Sequence, residues 1–175
     1  TFLGYPNTTG LKSINYRITD SYVDPVGTAD QFSSETLVRL PGSYFCYRPR
    51  DNSPPINELP ALHTGYLTFG SLNGYYKLNS DLFRLWARVL EAVPGAKLLV
   101  KTKSLNDPPT RQALLAQLVQ FGVGPERLCL ETFSPSPTHL TTYHRIEIAL
   151  DSFPFTGGIT TFEALWMGVP VVTLV

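Results

Sequence analysis

The chain has 175 residues, of which 43% are hydrophobic and 16% are charged. This composition supplies enough apolar material for a folded core and excludes a largely disordered chain. The formal net charge is zero, which disfavours a nucleic-acid binder because such proteins usually carry a basic excess.

The first part of the chain, residues 1–62, is rich in aromatic residues, Pro, Gly and Asn. Its patterns predict two strands, at residues 14–19 and 43–47. Residues 48–60 have the Pro, Asn and Asp density that is typical of a linker.

Beyond residue 62, predicted strands and helices alternate. The strands are predicted at residues 66–70, 97–101, 127–131, 146–151 and 170–175. The helices are predicted at residues 82–93 (capped by Asn79 or Ser80), 108–121, 137–145 and 160–167. This alternation favours a parallel sheet covered by helices on both faces, with right-handed crossovers, so residues 63–175 are predicted to form a Rossmann-like α/β domain.

The composition also bears on the compartment and the membrane. Cys46 and Cys129 lie far apart without metal-ligand spacing, which indicates a reducing compartment, and we expect a cytoplasmic protein with no metal site.

The longest apolar run, residues 165–175, is too short and too interrupted to span a bilayer, and no signal peptide opens the chain. The chain does not begin with methionine and ends within an apolar run, so we expect a piece of a longer protein.

Ligands of open parallel sheets bind beyond the carboxyl ends of the strands. The sharpest signal there is the loop that follows the predicted strand 146–151. Gly157 and Gly158 permit close approach of a ligand, and Thr160 and Thr161 stand at a helix start, where hydroxyls and free amides form a phosphate site. Glu163 lies one turn further and would accept hydrogen bonds from ribose hydroxyls. The structural alternative is a Thr cap with Glu163 completing a capping box.

Other polar residues of these loops have a functional and a structural interpretation. Lys77 would neutralise a diphosphate, although most lysines are solvated surface residues. His139 would donate a hydrogen bond to a phosphate, or would only pack at a helix start. Asp20 and Asp151 each end a strand, where an acidic residue is more often a turn former than a catalytic group.

The chain contains none of four familiar enzyme motifs: the P-loop lysine motif, GxSxG, HExxH and GxGxxG. Their absence weighs against a nucleoside triphosphatase, an α/β hydrolase, a zinc protease and a dinucleotide enzyme.

Six segments of the sequence, in order, resemble one family. They are GYPNTTG from Gly4, INYRITD from Ile14, LVRLPGSYFCY from Leu37, YLTFGSLNGYYKLN from Tyr66, LWARVLEAVPGAKLLVK from Leu85 and IALDSFPFTGGITTFEALWMGVPVVTL from Ile148. They resemble the catalytic region of the O-GlcNAc transferase and SPINDLY family, glycosyltransferase family 41. The last segment is the most specific of the six.

The resemblance implies a GT-B fold, in which two Rossmann-like lobes face each other across a cleft. Residues 1–62 would be the tail of the N-terminal lobe with a linker, and residues 63–175 a truncated nucleotide-sugar-binding lobe. The family is metal-independent, uses no cofactor beyond its nucleotide-sugar donor, and transfers a sugar with inversion to a Ser or Thr hydroxyl of a protein.

The resemblance also assigns roles to single residues. Lys77 falls on the family's diphosphate-binding lysine, which makes it the candidate catalytic residue, and His139 falls on a histidine near the nucleotide. Thr160 and Thr161 fall within the phosphate-binding Thr run, after Gly157 and Gly158, and Glu163 falls on the acidic residue for the ribose.

Several positions depart from the family pattern. Gly158 and Ile159 stand where members carry Thr-Thr or His-Thr, which removes at least one donor to the phosphate. Ser136 stands where the animal enzymes have a lysine, and Glu147 replaces the usual Asp.

Three hypotheses follow. The first is a protein O-GlcNAc transferase that uses UDP-GlcNAc, with protein acceptors as partners and neither nucleic acid nor membrane as a partner. The second is a GDP-fucose-dependent protein O-fucosyltransferase, and the third is a degenerate lobe that binds a nucleotide or a partner without turnover. Tetratricopeptide repeats upstream would imply extended protein substrates.

Overall fold

The computed structural model describes residues 7–135 and 138–174. The start of the Gly4 motif, the departure at Ser136, the predicted helix start at Pro137 and the terminal Val175 lie outside the described residues. The chain divides into two compact units, Thr1–Arg48 and Pro49–Val175. The assignment of residues 1–62 and 63–175 to two catalytic lobes stays a prediction.

The first unit is built on two parallel strands, β1 (Tyr16–Asp20) and β2 (Thr36–Leu40). The predicted strand at residues 14–19 corresponds to β1, but the prediction of a strand at residues 43–47 is wrong. The backbone N–H of the buried Tyr44 donates to the carboxylate of Asp20 at 2.8 Å. The Asp20 side chain therefore holds the segment at residues 43–47, whereas the strand that pairs with β1 is formed by residues 36–40.

The second unit begins with an irregular stretch where the sequence predicts a linker. Its helices and strands are α1 (Ala61–Thr64), β3 (Thr68–Ser71), α2 (Ser80–Ala92), β4 (Lys97–Lys101), α3 (Pro108–Gln120), β5 (Leu128–Glu131), β6 (Ile148–Leu150), α4 (Ile159–Trp166) and β7 (Val171–Val172). The five predicted strands and the three long predicted helices are confirmed, although β7 is shorter than predicted. The predicted helix at residues 137–145 is a 3₁₀ helix at Leu140–Arg145.

The helix boundaries follow from local chemistry. The Asn79 side chain accepts a hydrogen bond from the Leu82 amide and caps α2. Asp107 caps α3 in the same way, with proline in its first turn. Gly122, with φ of 89°, takes the left-handed conformation that ends α3.

All five strands of the second unit are parallel, in the order β5-β4-β3-β6-β7. The chain runs from β3 outward through β4 to β5, and then returns to the other side of β3 with β6 and β7. Strand order therefore reverses between β3 and β6, and ligands of such sheets bind outside the carboxyl ends of the strands at this point.

Apolar side chains pack on both faces of this sheet. Leu98 and Val100 of β4 face the cluster formed with α2 and α3, whereas Leu99 faces the cluster that includes Ala164 of α4. This alternation is expected of a strand buried on both sides. No helix within residues 7–135 and 138–174 is long and apolar enough to cross a membrane.

Candidate functional site

Lys77 connects the two loops that flank the reversal of strand order. It ends a single 3₁₀ turn, Tyr75–Lys77, which follows β3. Its Nζ donates to the Thr156 carbonyl in the loop after β6 at 2.7 Å, and lies 4.1 Å from the centroid of the Phe155 ring. The lysine is thus held where the carboxyl ends of β3 and β6 meet.

The environment of Lys77 favours contact with an anion. Burial lowers the pKa of the Lys77 ammonium, and the carboxylate of Asp151 partly opposes this shift. An ammonium group that has lost part of its hydration interacts more strongly with a nearby anion than one in bulk water.

The N-terminus of α4 lies beside this lysine loop. The helix begins at Ile159 with Gly158 as its N-cap, and no side chain caps it. The capping-box alternative for Thr160 and Glu163 is therefore wrong, because their side chains bond elsewhere. The Thr160 hydroxyl donates to the Asn73 side chain at 3.0 Å, while the Thr161 hydroxyl is buried without a hydrogen-bond partner among the described residues.

Gly157 brings the backbone close to these hydroxyls. A Cβ at this position would lie 2.6 Å from Thr161 Oγ1 and 2.9 Å from both Thr160 Oγ1 and Asp151 Oδ1. The loop can follow this path only with glycine. The amides of Ile159 and Thr160 open α4 and have no intrahelical acceptor, whereas the Thr161 amide already donates to the Gly158 carbonyl at 3.1 Å. The loop therefore brings free N–H donors and the two threonine hydroxyls to one place, as anion binding requires.

His139 and Glu163 form a pair at the same edge. His139 Nε2 lies 3.3 Å from Glu163 Oε2, and both side chains are largely buried. His139 Nδ1 is buried and has no hydrogen-bond partner among the described residues. The Tyr143 hydroxyl, from the 3₁₀ helix that follows His139, donates to the Thr160 carbonyl at 3.1 Å and joins this pair to α4.

The structure therefore brings all the predicted site residues to one edge of the sheet. The predicted set comprises Lys77, His139, Gly157, Gly158, Thr160, Thr161 and Glu163. Their individual roles toward a ligand stay predictions.

The sequence analysis did not single out Asn73. Its side chain accepts from Thr160 and donates to Asp151 Oδ1 at 3.3 Å, so it ties the loop after β3 to α4. Asn73 lies three residues after the end of the predicted strand at residues 66–70, inside the loop that carries Lys77, and this position was the signal that could have identified it.

Asp151 organises the loop after β6. Its carboxylate accepts hydrogen bonds from the amides of Ser152 and Gly157, at 2.8 and 2.7 Å, and from the Thr173 hydroxyl. Asp20 in the first unit accepts from the Tyr22 and Val23 amides. Both carboxylates hold turns, which agrees with the structural interpretation of these residues.

The sequence model of glycosyltransferase family 41 matches residues 57–175, which is most of the chain and contains every candidate site residue. The chain belongs to glycosyltransferase family 41.

Similar proteins extend this assignment. The chain is 45% identical to the probable UDP-N-acetylglucosamine–peptide N-acetylglucosaminyltransferase SPINDLY of Petunia hybrida, over 99% of the chain and 19% of that protein. It is 29% identical to SEC of Arabidopsis thaliana, which is also named as a probable UDP-N-acetylglucosamine–peptide N-acetylglucosaminyltransferase, over 99% of the chain and 18% of that protein. The chain thus spans about a fifth of the length of the family members that it matches.

A solved structure agrees with the fold. A mutant of the Thermobaculum terrenum O-GlcNAc transferase matches with a TM-score of 0.91 and 38% identity, over 99% of this chain and 32% of that one. The α/β fold expected of a GT-B family 41 enzyme is therefore confirmed.

Proposed function

We propose that this chain supplies the donor-binding lobe of an enzyme that transfers GlcNAc from UDP-GlcNAc to Ser or Thr hydroxyls of proteins. The single observation that carries the proposal is the convergence of Lys77 with the uncapped N-terminus of α4 where strand order reverses. The family 41 relatives SPINDLY and SEC are named as probable N-acetylglucosaminyltransferases, which supports GlcNAc as the sugar.

The reaction is a direct displacement that inverts the anomeric centre and needs no metal. The acceptor hydroxyl oxygen attacks C1 of the sugar, the bond from C1 to the diphosphate breaks, and negative charge develops on the leaving diphosphate. The proton of the acceptor hydroxyl passes to the departing diphosphate. Lys77 and the amides and hydroxyls at Thr160 and Thr161 stabilise that charge. Glu163 accepts hydrogen bonds from the ribose hydroxyls, and His139 donates a hydrogen bond to a phosphate.

Three features of the site suit this chemistry. The Lys77 ammonium is partly withdrawn from water, Gly157 lets the loop backbone lie close to the two hydroxyls, and Thr161 Oγ1 has no competing partner among the described residues. Each strengthens an interaction with a diphosphate. The acceptors are proteins in the cytoplasm, in keeping with the two free cysteines.

The test is transfer by the whole protein to a Ser/Thr-rich acceptor, with UDP-GlcNAc and GDP-fucose offered separately. Lys77→Ala is expected to lower kcat/KM by roughly 30- to 900-fold, because one charge-assisted contact to the leaving group stabilises the transition state by about 2–4 kcal/mol. The exposed Lys103 provides the control, since Lys103→Ala removes the same charge away from this site.

Each outcome separates the hypotheses. Transfer from GDP-fucose alone would support the protein O-fucosyltransferase hypothesis. Nucleotide binding without transfer from either donor would support the hypothesis of a degenerate, non-catalytic lobe. A Lys77→Ala enzyme with unchanged kcat/KM would contradict the role of the lysine.

A further inference from the structure

Two buried hydroxyls next to the candidate site have no hydrogen-bond partner within residues 7–135 and 138–174. They are Ser71 Oγ, at the end of β3, and Thr161 Oγ1, in the first turn of α4. Ser71 is only 2% exposed, so bulk solvent does not reach its hydroxyl. Buried polar groups in folded proteins are nearly always hydrogen-bonded, because an unmade bond costs the desolvation of the group. Each of these two hydroxyls therefore requires a partner.

Ser71 and Thr161 line the same small cavity, between the carboxyl ends of β3 and β6 and the start of α4. The cavity measures about 10 Å³, which is the space that a single water molecule needs. It is too small for a sugar, a base or a phosphate, so it is not a place where the donor itself binds. A cavity of this size with polar walls suits one ordered water.

The other polar side chains on the cavity wall already have partners. Thr160 Oγ1 donates to Asn73 Oδ1 at 3.0 Å, and Asn73 Nδ2 donates to Asp151 Oδ1 at 3.3 Å. The Tyr143 hydroxyl donates to the Thr160 carbonyl at 3.1 Å. Within the part of the chain that the structure describes, the two unpartnered hydroxyls are therefore the wall groups that remain to bind a molecule in the cavity.

We propose that this cavity holds one ordered water that bridges Ser71 Oγ and Thr161 Oγ1, and that Ser71 is thereby a positioning residue for the donor diphosphate. The inference rests on the proposed function. The two hydroxyls do not bond to each other directly, so a bridging molecule is needed to satisfy both. A buried water typically makes two to four hydrogen bonds, so one water can serve the two groups together.

The bridge determines where the Thr161 hydroxyl can donate. A hydroxyl has one O–H donor and two acceptor lone pairs. Ser71 donates to the water, the water donates to Thr161 Oγ1, and the Thr161 O–H is left for the diphosphate. Hydrogen bonds in such a chain polarise one another, which strengthens the last donor. Ser71 thus acts on the diphosphate through Thr161 and does not touch it.

The first test is a crystal structure of the whole protein at a resolution that shows ordered waters. We expect a water about 2.6–3.2 Å from both Ser71 Oγ and Thr161 Oγ1, the ordinary range of hydrogen-bond lengths. An empty cavity, or a direct hydrogen bond between the two hydroxyls, would overturn the proposal whether or not the protein binds a nucleotide.

The second test is calorimetric titration of the whole protein with UDP, GDP and pyrophosphate. Ser71→Ala should weaken the binding of pyrophosphate and of the preferred nucleotide by the same factor, about 2- to 10-fold, because neutral hydrogen bonds act here on the phosphates. Ser71→Cys, whose thiol is a weak donor, should weaken both in the same direction and replaces Ser71→Ala if that variant does not fold. Ser104→Ala changes an exposed serine and should leave every affinity as in the wild type.

A double-mutant cycle separates this positioning role from a general structural role. In a Thr161→Val background, Ser71→Ala should have no further effect on affinity, because the chain of hydrogen bonds is already broken at its last member. In a Thr161→Ser background, which keeps the hydroxyl, Ser71→Ala should weaken binding by the same factor as in the wild type. Equal losses in the two backgrounds would overturn the role of Ser71 and leave the proposed function intact. Failure of the wild type to bind either UDP or GDP would instead overturn the proposed function.

Discussion

Gly157 illustrates how one residue shapes the site. Its N–H donates to Asp151 Oδ1 at 2.7 Å, so the glycine is held against the carboxylate that organises the loop. The atoms nearest to a hypothetical Cβ are the oxygens of Thr160, Thr161 and Asp151, which belong to the site itself. The absence of a side chain at residue 157 therefore keeps the hydroxyls of α4 close to the loop.

Gly157→Ala should consequently weaken nucleotide binding. The added methyl group would displace the loop or the two threonine hydroxyls, and overpacking of this kind costs about 1–3 kcal/mol. Calorimetric titration with the donor nucleotide measures the loss, which should be roughly 5- to 150-fold in affinity. Gly124→Ala is a matched control, because its Cβ meets only the flexible end of the Glu126 side chain. Equal affinities for Gly157→Ala and the wild type would mean that the loop moves on ligand binding.

At the scale of the elements, carboxylates hold neighbouring segments together in both units. Glu147 precedes β6 and accepts hydrogen bonds from the Ala61 and Thr68 amides, each at 2.6 Å, so it joins the start of α1 and of β3 to β6. Glu147 stands where the family usually has Asp, and its longer side chain reaches both amides. Glu35 precedes β2 and accepts from the Thr8 hydroxyl and the Thr9 amide, at 2.8 and 2.7 Å.

Glu147→Ala is expected to destabilise the second unit by about 1–3 kcal/mol, because it leaves two partly buried amides without an acceptor. The urea midpoint should fall while the slope of the transition stays the same. Glu91→Ala removes an exposed carboxylate from α2 and should leave the midpoint nearly unchanged. A smaller effect for Glu147→Ala than for Glu91→Ala would contradict this role.

The contribution of Glu35 to the stability of the folded state should depend on pH. Hydrogen bonds led by that of the Thr9 hydroxyl lower the pKa of Glu35 from 4.5 to about 2, against the effect of burial. A group whose pKa is depressed by folding stabilises the folded state above its unfolded pKa, and this contribution is lost as the pH falls through the folded value.

Glu35→Gln should therefore speed amide exchange in β1 and β2 at pH 7, and its difference from the wild type should shrink between pH 4.5 and pH 2. Hydrogen exchange followed by mass spectrometry measures this difference. Glu126→Gln changes an exposed carboxylate in the second unit and serves as the control. A difference that is independent of pH would show that the charge of Glu35 is not what stabilises the segment.

At the scale of the whole molecule, the chain is a small part of the proteins that it resembles. It spans 19% of the Petunia hybrida relative and 32% of the solved bacterial transferase chain. Apolar side chains near its end, among them Leu165, Trp166 and Val172, are about half exposed. Exposed apolar groups of this kind favour association with other surfaces.

Residues 1–175 alone are expected not to transfer sugar and to bind nucleotide at best weakly. In a GT-B enzyme the acceptor reaches the donor across a cleft between two lobes, and this chain spans only 19% of the Petunia hybrida relative. Incubation with labelled UDP-GlcNAc and an acceptor peptide tests this, with the full-length protein as the positive control. Measurable transfer by residues 1–175 would contradict the two-lobe mechanism.

The sequence by itself determined the strands and long helices of the second unit, and the family. The Asn79 cap, the helical spacing from Leu82 to Leu90 and the proline start at Pro108 act within a few residues, so α2 and α3 are readable from local pattern. The clustering of the candidate site residues at one edge was likewise predictable, because the loops after parallel strands share one edge of the sheet.

The tertiary structure alone decided the pairings between distant segments. The strand at residues 36–40 exists because it pairs with β1, whereas residues 43–47 have a similar local pattern but bond to Asp20 instead. Lys101 looked like an ordinary strand residue, and only the packing of the segment with Ser134 and Thr142 over it made it a buried cation. Burial and long-range hydrogen bonds depend on which strands become neighbours, and local sequence pattern does not contain that information.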